Sequence, residues 1–131
     1  MPKYSDFSIA NLETCDERLQ LVFNDVIKLV DCRVLEGHRG QERQDFLFDT
    51  GASKLRWPDG KHNHIPSLAA DVAPWPIDWN NLLRFAMFAG LVIGIGKGMG
   101  IPIRAGIDWN GNFDPSDEGF LDAAHFEIIG D

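Results

Sequence analysis

The one long apolar run of the chain, Phe85 to Ile101, does most to limit how it can fold. At about 17 residues it sits at the short limit for crossing a bilayer. Lys97 and the glycines at 94, 96, 98 and 100 also interrupt it. The pattern therefore predicts a buried helix over roughly Trp79 to Ile93 that runs into a loop at the glycines. A chain of 131 residues buries roughly two-thirds of its unfolded surface, enough for one domain spanning residues 1–131.

The rest of the chain mixes helical and strand-like segments. Thr14 and Glu17 have capping-box spacing, and Leu19, Val22, Phe23, Val26 and Val30 share one helical face. A helix is expected from Thr14 to Val30. Val34 and Leu35 read as a short strand, and Gln41 to Thr50 as a second helix closed by Gly51. Residues 52 to 67 read as loop, with Pro58, Asp59-Gly60 and Pro66 as breakers. Leu68 to Val72, Ile101 to Ile107 and His125 to Ile129 are short apolar strands, with a polar loop from Asp108 to Gly119. Without regular βαβ alternation, this is an α+β pattern: a small antiparallel sheet with helices packed on it.

Composition excludes several functions. A net charge of −8 is the wrong sign for a phosphate-binding surface, so nucleic acid is not an expected partner, and stable adsorption to an anionic membrane is not expected either. Met1 to Asp6 contains no apolar core of the signal-peptide kind, which predicts synthesis in a cytoplasm. Cys15 and Cys32 have no metal-type spacing and read as buried thiols.

The four histidines are His38, His62, His64 and His125. His64 is followed seven residues later by Asp71, in the apolar stretch Leu68-Ala69-Ala70-Asp71-Val72. Seven extended residues would span about 23 Å, so two ligands of one ion require a turn between them, and Pro66-Ser67 offers one. A carboxylate in such a stretch is costly to bury unless a cation pairs with it. Asp122 and His125, three apart, need a bend to face the same way. Two histidines and one carboxylate would leave the fourth tetrahedral position of zinc open for water, and a neighbouring carboxylate could take its proton.

These residues resemble the zinc peptidases of the D-alanyl-D-alanine carboxypeptidase (VanY-like) group, and most of all their phage branch, the L-alanyl-D-glutamate endopeptidase endolysins. The signature S-x-H-x-x-G-x-A-x-D aligns with His62 to Asp71, and D-x-x-H-F-E with Asp122 to Glu127. Leu35 to Arg39, followed by Gln44 and Gly51, resembles the family's G-x-R…Q…G stretch, and Arg104 to Trp109 the segment before the final motif. The resemblance implies a Hedgehog/DD-peptidase-like single domain without a separate wall-binding domain. It also implies one Zn2+ held by His64, Asp71 and His125. Asp122 would be the proton-transferring base or acid, and Arg39 the donor to the developing oxyanion.

Two positions depart from the signature: His62 stands for its Ser and Ser67 for its Gly. His62 would take over the Ser's substrate or neighbouring contact, or else compete with His64 for the metal. Gln44 and Trp109 are the other candidate substrate contacts. The implied substrate is the peptidoglycan stem peptide, cut at L-Ala-D-Glu. A D-Ala-D-Ala carboxypeptidase and a non-catalytic zinc-binding module are the alternatives. In that setting a monomer would wait in the host cytoplasm and reach the wall at lysis through a separate holin. Asp108, Asn110, Asn112 and Asp114 resemble the start of an EF-hand. Gly111 comes two places early and Gly119 occupies the bidentate Glu position, so a solvated loop is expected there, with Ca2+ the alternative.

Overall fold

In a computed structural model describing residues 2–130, the chain forms four helices and four strands among those residues. Met1 and Asp131, the ends of the expected domain, lie outside the described residues. The elements are α1 (Asp6–Glu13), α2 (Glu17–Leu29), β1 (Cys32–Glu36), α3 (Gln41–Asp49), β2 (Ala69–Pro74), α4 (Leu82–Gly98), β3 (Ile103–Ala105) and β4 (His125–Ile128). The sheet runs in the order β1-β2-β4-β3, every pair antiparallel. The α+β expectation thus holds. No helix among the described residues is long and apolar enough to cross a membrane.

Alternation along the strands decides which side is which. Val34, Ala70, Val72, Phe126 and Ile128 point into the core shared with α2 and α4. The Phe126 ring lies edge-on to Phe23 of α2 (5.5 Å) and Phe88 of α4 (6.0 Å). Asp71, His125 and Glu127, the alternate residues of β2 and β4, point to the opposite face.

Three of the differences from the sequence expectation have a clear physical cause. The helix expected from Thr14 is two helices, because Ser67 holds residues 14–16 extended: Ser67 N–H donates to Thr14 O (2.9 Å) and Asp16 N–H to Ser67 O (2.8 Å). Thr14 therefore closes α1, and Asp16 caps α2 by accepting from Arg18 N–H. The helix α1 was not expected, since it buries only Ser8 and Leu12 and has almost no apolar stripe. It closes the outer edge of β1 instead: Ser8 Oγ accepts from Val34 N–H (3.0 Å), and Asn11 Nδ2 donates to Val34 O (3.0 Å). The third difference is α4, which continues through Gly94 and Gly96 to Gly98. A Cβ at Gly96 would lie 2.6 Å from Ile103 Cγ2, so this glycine lets β3 pack on the helix rather than ending it.

Candidate active site

The register of the sheet assembles the centre of the site. Asp71 of β2 lies directly opposite His125 of β4 and beside Glu36 of β1, while Glu127, two residues along β4, lies opposite Arg104 of β3. Directly opposed residues share a face, so one row of polar side chains crosses four strands. Asp71 Oδ1 is 3.4 Å from His125 Nδ1.

The third member of this centre is His62, in a 3-10 turn spanning Lys61–Asn63. That turn is pinned on several sides. Arg39 N–H donates to His62 O (2.7 Å), and Asn63 accepts from Gly60 N–H while donating to Arg39 O and Gln44 Oε1. His62 is buried, with Nε2 3.1 Å from Asp71 Oδ1. His64 follows at the end of the turn in extended conformation, exposed and outside the cluster. The structure therefore brings together His62, Asp71 and His125, and not the expected His64. The loop from histidine to aspartate is two residues longer than the seven-residue spacing assumes, turning through a cis Ile65–Pro66 bond. Nothing in the spacing alone separates the two histidines. The signal that does is Asn63, whose amide ties the turn in place with His62 facing inward.

Donor atoms of His62, Asp71 and His125 lie within 4.8 Å of one another, the group among the described residues with metal-holding spacing. Both rings are presented in a fixed sense. His62 Nδ1–H donates to Gly37 O (2.7 Å), leaving Nε2 for the cluster, and His125 Nε2–H donates to Glu127 Oε1 (2.8 Å), leaving Nδ1. Two imidazole nitrogens so oriented and one carboxylate are a donor set suited to Zn2+ with an open position. Electrostatics point the same way. Burial pushes the Asp71 carboxyl up, but hydrogen bonds from His125 and His62 outweigh it and hold its pKa well below the usual range. Burial pushes His125 down, yet hydrogen bonds to Asp71 and Glu127 carry it up to about 9. Glu127, opposed by burial but bonded to His125 and Arg104 (2.7 Å), falls to about 2. The motif D-x-x-H-F-E contains Glu127, and its two-residue offset from His125 placed it on the same face; sequence reasoning gave it no role.

Asp122 stands at the rim. Its N–H donates to Gly106 O (2.9 Å), and its O accepts from His125 N–H (3.0 Å), which makes the bend required before β4. A Cβ on Gly106 would lie 3.0 Å from the Cβ atoms of both Asp122 and His125, so only glycine permits this approach. Asp122 Oδ2 is 4.0 Å from His125 Nδ1, and the side chain is 46% exposed. Burial, and then the charge of Asp71, raise its proton affinity.

Arg39 is more constrained than the oxyanion role alone implies. Its guanidinium is shared among Glu36 (2.7 Å), Asp71 (3.4 Å) and Gln44 (3.1 Å). Gln44, a candidate substrate contact, is buried, and its amide is committed to Arg39, Asn63, Ser53 and the Leu55 carbonyl. It lies in the floor of the cleft and braces Arg39. Trp109 does line the cleft, its ring 5.4 Å from that of His125. The cleft encloses about 600 Å³. In the loop from Asp108, Asp108 Oδ2 accepts from Phe113 N–H, Asp114 from Ser116 N–H, and Asp117 from Asn110 and Asn112, while Asp108 Oδ1 is buried without a hydrogen-bond partner among the described residues.

Comparison with known proteins places the whole chain. The family model described as phage L-alanyl-D-glutamate peptidase matches residues 1–129. The L-alanyl-D-glutamate peptidase of Escherichia phage T5 is 33% identical over 135 residues, covering 97% of this chain and 98% of that protein. The crystal structure of the L-Ala D-Glu endopeptidase ChiX of Serratia marcescens shares the fold at a TM-score of 0.74 and 23% identity, covering 97% of this chain and 90% of that one. With a family model spanning nearly its whole length and a relative one-third identical end to end, the chain belongs to the phage L-alanyl-D-glutamate peptidase family.

Proposed function

We propose that this protein is a zinc-dependent endopeptidase that hydrolyses the L-Ala–D-Glu bond of the peptidoglycan stem peptide. Family membership supports the reaction. The observation that carries the metal dependence is the convergence of His62, Asp71 and His125 beneath the cleft, with Asp122 beside them. These three residues would hold the ion at the cleft. When bound, zinc supplies Lewis acidity, polarising the scissile carbonyl and making a water nucleophilic near neutral pH. Asp122, reachable from the cleft, takes the proton of the attacking water and delivers it to the leaving nitrogen. Arg39, braced by Gln44 and Glu36, sets a positive charge beside Asp71 and offsets the charge that develops on the carbonyl oxygen. Trp109 forms the wall against which the substrate lies. In a phage infection the protein would meet this substrate at lysis, after passing a holin pore.

Purified peptidoglycan incubated with the zinc-loaded protein should yield new N-terminal D-Glu by mass spectrometry, and a chelator should stop its release. Release of D-Ala without new D-Glu termini would refute the bond assignment. Undiminished cleavage in excess chelator would refute the metal dependence.

A further inference from the structure

Although the chain carries a net charge of −8, five cations line its cleft: Arg39, Arg43, Lys54, Lys61 and Arg104. Four of them are tied to carboxylates. Arg39 and Arg43 pair with Glu36, and Lys61 and Arg104 with Glu127. Lys54 is the exception, with no carboxylate at ion-pair distance among the described residues. Its ammonium rests 4.1 Å above the ring of Phe120 instead. Phe120 is stacked on Trp109 (6.3 Å, 15° between planes), and Trp109 packs against His125. An aromatic wall thus leads from the proposed metal centre to an unneutralised cation. A cation–π contact at an exposed position is weak, and a carboxylate is the stronger partner for an ammonium. Phe120 therefore holds Lys54 in place without satisfying it.

We propose that Lys54 is a specificity residue that receives a free carboxylate of the stem peptide on the far side of Phe120. This rests on the endopeptidase reading above. A D-glutamyl residue acylated on nitrogen has two carboxyl groups, and the peptide chain uses only one of them. The segment leaving the scissile bond therefore carries a free carboxylate unless it is amidated, and a following diaminodicarboxylic acid adds a second. Lys54 selects unamidated stems by ground-state binding, so its contribution lies in KM rather than kcat.

Three soluble stem peptides test this: one unamidated, one amidated on the D-glutamyl carboxyl and one on the diamino acid carboxyl. They are compared with wild-type protein, Lys54→Met, which keeps the aliphatic stem without charge, and Lys54→Arg. Wild type should lose about fivefold in kcat/KM, through KM, on one of the two amidations, and that one identifies the carboxylate. Lys54→Met should show the same loss on the unamidated peptide and no further loss on amidation, and Lys54→Arg should keep the preference. A Lys54→Met protein that discriminates as wild type does, or that loses kcat with KM unchanged, overturns the proposal and leaves the peptidase reading standing. Wild-type protein that cleaves none of the three overturns both.

Discussion

Replacing His62 and His64 one at a time by alanine separates the structural reading from the spacing in the sequence. His64 is exposed at the end of its turn and touches none of the cluster, so His64→Ala should change stability by no more than about 0.5 kcal/mol. His62 presents Nε2 to Asp71 and spends Nδ1–H on Gly37 O. Its removal deletes a donor and leaves that carbonyl unpaired, at about 1–3 kcal/mol. Loss of a residue that merely supports a ligand weakens metal binding about 10–100-fold, so loss of a ligand itself should cost more than about 100-fold. Zinc at a hundred times its Kd stabilises the folded state by about 2.7 kcal/mol, which for a domain of this size raises Tm by about 10 °C. Thermal unfolding with and without zinc, alongside titration against a chromophoric chelator, reads both quantities. The zinc-dependent rise in Tm should survive in His64→Ala and vanish in His62→Ala, with the far-UV circular dichroism of both unchanged. A His62→Ala protein that still gains about 10 °C from zinc, or a His64→Ala protein that gains nothing, would refute the placement of the turn.

Asp122→Asn should lower kcat by about 10²–10⁴ while zinc content, read by plasma emission, stays at the wild-type level; wild-type turnover would remove Asp122 from proton transfer. In Glu127→Gln the ring of His125 loses its anionic anchor and zinc binding should weaken about 10–100-fold, whereas unchanged affinity would show that the contact does not orient the ring. His125 is held protonated up to about pH 9 in the metal-free protein, and an ion at Nδ1 must displace that proton. Apparent zinc affinity should therefore fall as pH drops below about 9, by about tenfold per unit, and calorimetry in buffers of different ionisation enthalpy should detect about one proton released at pH 8. No proton release would contradict the ring orientation described here. Gly106→Ala should push Asp122 and His125 apart and cost more activity than stability, measured as kcat against Tm, because the bend before β4 closes on that glycine.

Much of the fold was legible because its elements carry their own signals. The stripe Leu19, Val22, Phe23 and Val26 specifies α2 without reference to the rest of the chain, and Gly51, at φ +82°, closes α3 where the glycine suggested. What was not legible depends on distant partners. The short α1 has no apolar periodicity, because its task is to hydrogen-bond the edge of β1 through Ser8 and Asn11. The capping box at Thr14 is locally sound, but Ser67 of a remote segment takes residues 14–16 first. The site divides in the same way. His125 and Asp122 lie within one bend, so their motif captured their relation, whereas the histidine facing Asp71 depends on a loop whose length a motif assumes. His62 or His64 satisfies composition equally well, and only the pinning of the turn by Arg39 and Asn63 decides which enters.

The same arrangement favours reading this row of charges as a candidate metal site rather than a set of structural ion pairs. Glu127 is neutralised from outside by Arg104 and Lys61, and Glu36 by Arg39 and Arg43, so the outer carboxylates carry their own cations. At the centre, Asp71 and Asp122 converge on His125, and Arg39 reaches Asp71 at 3.4 Å. The upward shift of His125 and the downward shift of Asp71 are two sides of one contact, in which a proton on His125 meets the carboxylate's demand for positive charge. A divalent ion between His62 Nε2, Asp71 and His125 Nδ1 would meet that demand with more charge than one proton. It would also oppose the influence of Asp71 that now raises Asp122, giving that carboxylate a lower proton affinity when metal is present. One ion would thus complete the ligand set and offset the two carboxylates that face it.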